Sequence, residues 1–257
     1  MFVAAHRIAD VGFYTESDVL IPHLQEHQYQ LFESGNTRTD VRNRIHQFDP
    51  HALACPSLAA LERELLLRTL GFPHRWLDSP AFRVPLIRDA VQRCMDRPEL
   101  VQVVLAWNRA VISDFGRNEL SLFYPPEKRQ DLLNPLFVAG YRNLVATFLP
   151  NFSALMIHGA GLIRDNLAAV FLASDEGGKT SVVRSSNSDS ILNDDQVIIR
   201  KTGGVVFAHG TPFGTLTSGP LQARLGAFFL LEKASRFELV PAQPTDALQF
   251  IWNEQGA

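Results

Sequence analysis

The run Leu167-Ala168-Ala169-Val170-Phe171-Leu172 is wholly apolar and short, as a buried strand would be. It leads into Ala173-Ser174-Asp175-Glu176-Gly177-Gly178-Lys179-Thr180, and that stretch into Ser181-Val182-Val183-Arg184-Ser185-Ser186. Strand, glycine-containing turn, Lys-Thr and short helix follow in the order of a phosphate-binding loop, G-x-x-x-x-G-K-[ST], with Ala173 in the place of the first glycine. Gly177 and Gly178 let the backbone take φ > 0 and come close to a phosphate. The N–H groups from Ser174 to Ser181, and the start of the helix, would face the anion. Lys179 would carry a mobile cation to the β/γ-phosphates, and the Thr180 hydroxyl could ligate Mg²⁺. Asp175 and Glu176 would repel a phosphate, so they must turn outwards or meet the metal or the acceptor.

A second signal lies in Ile191-Leu192-Asn193-Asp194-Asp195, two adjacent carboxylates after a short apolar run. If that run is a strand beside the 167–172 strand, the pair lies near the phosphates. One carboxylate can hold Mg²⁺, and the other can take the proton of an attacking hydroxyl. Leu155-Met156-Ile157-His158-Gly159-Ala160-Gly161 reads as a further strand carrying His158.

These pieces resemble the HPr kinase/phosphorylase family, which shares its nucleotide-binding core with ATP-dependent phosphoenolpyruvate carboxykinase. The resemblance covers roughly the last hundred residues. It rests on His158-Gly159-Ala160-Gly161, Gly178-Lys179-Thr180, Asp194-Asp195 and Gly210-Thr211-Pro212-Phe213, in that order. It implies that Lys179 binds phosphate, that Thr180 and Asp195 hold Mg²⁺, that Asp194 accepts the proton, and that His158 lies near the transfer centre. Which aspartate takes which role rests on the resemblance and is reversible. The chain departs from the family at Ala173, at Ser181, where an acidic residue often follows the Lys-Ser/Thr pair, and in lacking a Glu-Ile-Arg-Gly signature.

The expected fold is α/β: a P-loop nucleotide-binding core with a mixed β-sheet over 151–257, preceded by an α+β N-terminal region over 1–150 that could recognise the substrate. The expected function is that of an ATP- and Mg²⁺-dependent kinase acting on a hydroxyl of a protein, peptide or small molecule. The alternative is a catalytically silent nucleotide-binding module with a regulatory or scaffolding role. A carboxykinase-like lyase fits less well, because no arginine cluster for a carboxylate substrate stands out.

The formal charge of −3 shows no global preference for nucleic acid or a membrane surface. Cys55 and Cys94 lack metal-ligand spacing and read as reduced thiols of a cytoplasmic protein. No apolar run approaches the roughly 20 residues of a membrane helix. A homo-oligomer is left open.

Elsewhere the chain predicts a strand over Met1–Phe13 and helices over Ser57–Leu70, Leu86–Met95 and Phe137–Leu149, the last with Tyr141, Leu144, Val145 and Phe148 on one face, while Pro22 interrupts any helix within Ser17–Phe32. Strands are expected within Leu100–Tyr124, at Val197–Arg200 and Val205–Ala208 around Gly203-Gly204, and at Ala227–Leu231. A last helix spans Thr245–Trp252. His23 and His27 are four apart, but surface histidines are the plainer reading. Arg224 and Lys233 are further candidates for phosphate contact.

Overall fold

The computed structural model describes residues 2–17, 26–35, 38–47, 85–106, 109–124, 133–186 and 190–255. The helix expected over Ser57–Leu70, Cys55 and His23 lie outside the described residues. The chain is mixed α/β, with two mixed sheets, and it divides into two units. Among the described residues, one unit takes 2–5, 13–17 and those between 38 and 137. The other takes 6–12, 26–35 and 138–255.

The first sheet has six strands in the order β1-β2-β3-β6-β5-β4. These are β1 (Phe2–Ile8), β2 (Val11–Ser17), β3 (Val41–Gln47), β4 (Val101–Ala106), β5 (Arg109–Asp114) and β6 (Glu119–Tyr124). β2, β3 and β6 run parallel, and β6, β5 and β4 alternate in direction. The expected single strand over Met1–Phe13 is instead two, joined by Ala9 and Asp10 at φ 50° and 59°. A two-residue turn with both residues left-handed usually announces itself by Asn-Gly or Asp-Gly. Here no glycine marks it. Beyond Pro22, the described part of Ser17–Phe32 holds one helical turn, α1 (His27–Gln30). α2 (Pro85–Asp96) begins on a proline, which the first helical position tolerates, and ends before Pro98. The buried Asp114 carboxylate takes the Arg93 guanidinium and the Arg117 N–H, as a buried charge must be matched.

α3 (Leu133–Phe148), which belongs to the second unit from Val138 on, and a 3-10 turn, Leu149–Phe152, lead into seven strands. They are β7 (Ala154–His158), β8 (Ala160–Arg164), β9 (Leu167–Leu172), β10 (Ser190–Asn193), β11 (Gln196–Thr202), β12 (Val205–His209) and β13 (Gln222–Leu230). α4 (Lys179–Ser185) follows β9, and α5 (Pro244–Gln255) ends the described chain. The strand order is β10-β8-β9-β13-β12-β11-β7, and β9–β13 is its parallel pair. Gly203 and Gly204, at φ 57° and 83°, close the β11–β12 hairpin where it was expected. Ile157, Val170, Leu172, Leu192, Val197 and Ala208 form its core. No helix among the described residues is long and apolar enough to cross a membrane.

The single strand expected over Leu155–Gly161 is instead two, β7 and β8. β7 pairs with β11, β8 pairs with β9 and β10, and only Gly159 lies between β7 and β8. On a flat sheet these strands would stand five spacings of about 4.8 Å apart, roughly 24 Å. One linking residue spans far less than that, so the sheet is curled until its flanks meet. Gly159 donates its N–H to the Asp195 carbonyl at 2.9 Å. A Cβ at Gly159 would lie 3.0 Å from the Phe171 carbonyl and from Leu172 Cδ2, and one at Gly161 would lie 2.9 Å from Val197 Cγ2. These glycines let strand backbones close over the core. Gly161→Ala is therefore expected to destabilise the unit by about 1–3 kcal/mol, the usual cost of overpacking, read as a lower midpoint in urea unfolding.

A small aromatic cluster joins His6, Tyr29, Tyr141 and Phe213 at centroid separations from 5.8 to 6.2 Å. His6 Nδ1 and the Tyr141 hydroxyl lie 3.0 Å apart. Burial lowers the His6 pKa to about 4. The unfolded chain, with a histidine pKa near 6.5, then binds more protons than the folded one between the two values. The stabilising effect of neutral His6 is thus complete above about pH 6.5 and is lost as pH falls through about 4. His6→Phe should flatten that part of the stability-versus-pH curve, measured by denaturant unfolding. An unchanged slope would place the acid sensitivity elsewhere.

Candidate functional site

The end of β9 delivers the chain into a tightly wound loop. The Gly177 N–H bonds the Ser174 carbonyl at 3.0 Å, Glu176 sits at φ 60° and Gly178 at φ 98°. Gly178 precedes the first helical residue, Lys179, and its left-handed backbone suits a residue without Cβ. A Cβ on Gly177 would stand 2.5 Å from the Ala173 methyl. The alanine at the first-glycine position fits because Gly177 leaves that space empty.

Lys179 is only 7% exposed. Its ammonium donates to the carbonyls of Ala173 at 2.6 Å and Ser174 at 3.1 Å, so its charge is solvated by the loop itself. Thr180, Ser181 and Arg184 follow it along the same cleft.

Asp194 and Asp195 sit in the turn between β10 and β11. β10 lies beside β8 rather than beside β9, so the expected adjacency of the two strands does not occur. The curled sheet and the loops nevertheless put both carboxylates on the cleft that Lys179 lines. Asn193 organises the turn: its Oδ1 accepts from the N–H groups of Asp195 at 2.7 Å and Gln196 at 2.8 Å, and its Nδ2 donates to the Thr211 carbonyl at 2.8 Å. Asn and Asp commonly bond backbone two residues on in this way.

The two aspartates have different surroundings. Asp194 is buried, and both its oxygens are engaged. Oδ1 accepts from the N–H groups of Thr215 at 2.8 Å and Leu216 at 3.0 Å, and Oδ2 accepts from the Thr215 hydroxyl at 2.6 Å. Gly214 packs so closely on Asn193 and Asp194 that any Cβ would collide with their side-chain oxygens. The Gly210-to-Gly214 stretch thus leads into the seat of this carboxylate.

Asp195 is 41% exposed on its side chain, with Oδ1 3.1 Å from His158 Nε2 and Oδ2 3.9 Å from Arg142 Nη1. Burial alone would raise its pKa, but the His158 hydrogen bond and charge, the Gln196 contact and Arg142 outweigh it and hold the carboxyl below its ordinary value. His158 Nε2 also comes within 3.9 Å of Asp175 Oδ1.

The result is one cleft of about 480 Å³ in the second unit, lined by His158, the 175–181 stretch, Arg184, Asp194, Asp195, Gly214 and Thr215. Of the residues singled out in the sequence, Ser174 contributes through its carbonyl bond to Lys179. Arg224 and Lys233 are not among the lining residues. His158 reaches the cleft from β7, an edge strand that is not a neighbour of β9. Sequence reasoning passed over Arg142, Arg184, Asn193 as an organiser, and Thr215. Arg142 lies beside the apolar stripe of α3, and nothing in its sequence neighbours marks it. Among the described residues no group of three His, Cys, Asp or Glu side chains is placed to hold a metal ion. The cleft can offer the Lys179 ammonium, the Arg184 guanidinium, the hydroxyls of Thr180 and Ser181, the immobilised Asp194 carboxylate and the Asp195–His158 pair, beside the exposed carboxylates of Asp175 and Glu176. No family model matches the chain, and no curated protein matches it.

Proposed function

We propose that the second unit is the core of an ATP- and Mg²⁺-dependent kinase of the HPr kinase-like type, acting on a hydroxyl of a protein, peptide or small molecule. ATP as the donor would suit a cytoplasmic enzyme. The observation that carries the reading is the convergence of Lys179, Thr180, Asp194, Asp195 and His158, from three separate stretches, on one cleft. Phosphoryl transfer asks a protein mainly for positioning and charge neutralisation. Lys179 would leave the carbonyls of Ala173 and Ser174 and take the β/γ-phosphates.

The donor set fits magnesium, which is usually held by one or two carboxylates together with substrate phosphates and water. Thr180 and Asp194 would hold it, with Asp194 kept rigid by its three hydrogen bonds, as the carboxylate of a metal site usually is. Bound there, the ion would neutralise phosphate charge. Asp195 is then the proposed proton acceptor, reversing the roles the family resemblance assigns. The acceptor oxygen bonds to the γ-phosphorus as the bond to the bridging β,γ-oxygen breaks. The hydroxyl proton passes to Asp195, whose position is fixed by His158 and Arg142, and ADP leaves.

The alternative, a silent nucleotide-binding module, is favoured by one observation: Lys179 already spends two of its three ammonium donors on its own loop. The test is titration of the whole chain with ATP in the presence and absence of Mg²⁺, beside transfer of labelled γ-phosphate to protein, peptide and small-molecule acceptors. Binding with transfer supports the kinase. Binding without transfer to any acceptor, and without slow hydrolysis, supports the silent module. No binding removes both.

A further inference from the structure

The second unit has another cavity, of about 270 Å³, whose lining includes no residue of the cleft described above. It is bounded by the Ala9–Asp10 turn, by the stretch Leu31–Ser34, and by the ends of β12 and β13 with the chain that joins them. All of these belong to the same unit. Ala9, Phe32, Gly210 and His209 are buried, so they form its floor. Arg7, Asp10 and Glu33 are exposed, so they stand at its mouth.

Two features suggest a ligand. Among the described residues Arg7, Asp10 and Glu33 form no ion pair, and the Asp10 carboxylate acts electrostatically on His209 alone, so charges of both signs stand on a small opening. The floor also contains His209, which is only 5% exposed and whose Nε2 has no hydrogen-bond partner. A buried polar atom without a partner costs free energy that a ligand, water or a small shift of the ring can recover. The turn is held firmly, because Arg200 Nη1 donates to the Ala9 carbonyl at 2.5 Å.

The charge pattern selects among ligand classes. A phosphate or other simple anion would meet Arg7 but also the carboxylates of Asp10 and Glu33. A simple cation would meet those carboxylates but also Arg7. A ligand carrying both charges a few bonds apart satisfies both sets, and Leu31, Phe32, Pro220 and Leu221 offer an apolar wall to the rest of it. We propose that this cavity binds a free α-amino acid with an apolar side chain, its carboxylate on Arg7, its ammonium on Asp10 and Glu33, and its side chain against Phe32 and Leu221. The proposal stands apart from ATP binding and does not depend on it.

The test uses the whole chain without nucleotide and titrates L-leucine and L-phenylalanine by calorimetry. N-acetyl-L-leucine, which lacks the ammonium, and L-leucinamide, which lacks the carboxylate, serve as probes of each charge. At least one free amino acid should bind at millimolar concentration or below, and the blocked relatives of leucine should be at least about tenfold weaker than leucine, the usual worth of a lost charge-assisted contact. Arg7→Gln and Asp10→Asn should weaken binding similarly. Both residues are exposed, and asparagine accepts the left-handed backbone of Asp10, so both variants should fold. Circular dichroism and thermal midpoints matching the unsubstituted chain confirm that they have. Absence of binding by both amino acids overturns the proposal. So does equal binding of leucine and its blocked forms, or binding that is unchanged in both variants.

Discussion

Asp195→Asn is expected to lower phosphoryl transfer by roughly 10²–10⁴-fold, the usual worth of a positioned base, while Mg²⁺–ATP affinity changes little. Asparagine keeps the size of the side chain and can still bond His158, but it cannot take a proton. Asp194→Asn should behave differently. It disturbs a carboxylate whose two oxygens already accept three hydrogen bonds from Thr215 and Leu216. Its expected signature is weaker metal-dependent nucleotide binding together with a lower thermal midpoint. The check is single-turnover transfer beside calorimetric titration on both variants. If Asp194→Asn abolishes transfer at unchanged affinity and Asp195→Asn transfers normally, the roles are those of the family resemblance and the geometric assignment fails.

Lys179→Ala should weaken Mg²⁺–ATP binding by about 10- to 150-fold, corresponding to about 1.5–3 kcal/mol for a hydrogen bond to a charged group. The measured loss is a difference. In the free protein the ammonium already bonds two carbonyls, at 2.6 and 3.1 Å, and on the proposed reading binding would exchange these for phosphate contacts. The alanine variant forfeits both sets, so part of its effect should appear as a less stable loop even without nucleotide. Hydrogen exchange at Gly177 and Gly178 would register that part, and calorimetry the rest. Equal affinity in variant and wild type would remove Lys179 from the nucleotide site.

The legible parts of the fold are those where local pattern and tertiary environment agree. The apolar run at 167–172 is a central strand, and Gly203-Gly204 closes a hairpin because both residues take positive φ. The helix expected over Phe137–Leu149 is α3, with Tyr141, Leu144, Val145 and Phe148 buried as its stripe required. The Ala9–Asp10 turn was not legible, because alanine carries no sign that it will adopt a left-handed backbone. Nor was strand order. Nothing local to Ile191 or Leu192 says that β8 will stand between them and β9. The site residues that came from short motifs are close in the sequence or in the family order. Arg142 and Thr215 enter through packing at long range, and no motif of their own announces them.

The β9–β13 pairing decides when, during synthesis, the loop over 173–178 gains its full support. The strand leading into residues 173–178 finds its parallel neighbour only at Gln222–Leu230, about fifty residues later. Non-local pairings of this kind close slowly, since chain entropy is spent before the contacts form. During synthesis Leu167–Leu172 therefore waits, apolar and half-paired, until β13 has emerged. Chains halted anywhere before that point should neither bind ATP weakly nor retain partial function; they should be without the site altogether and prone to associate through the exposed strand.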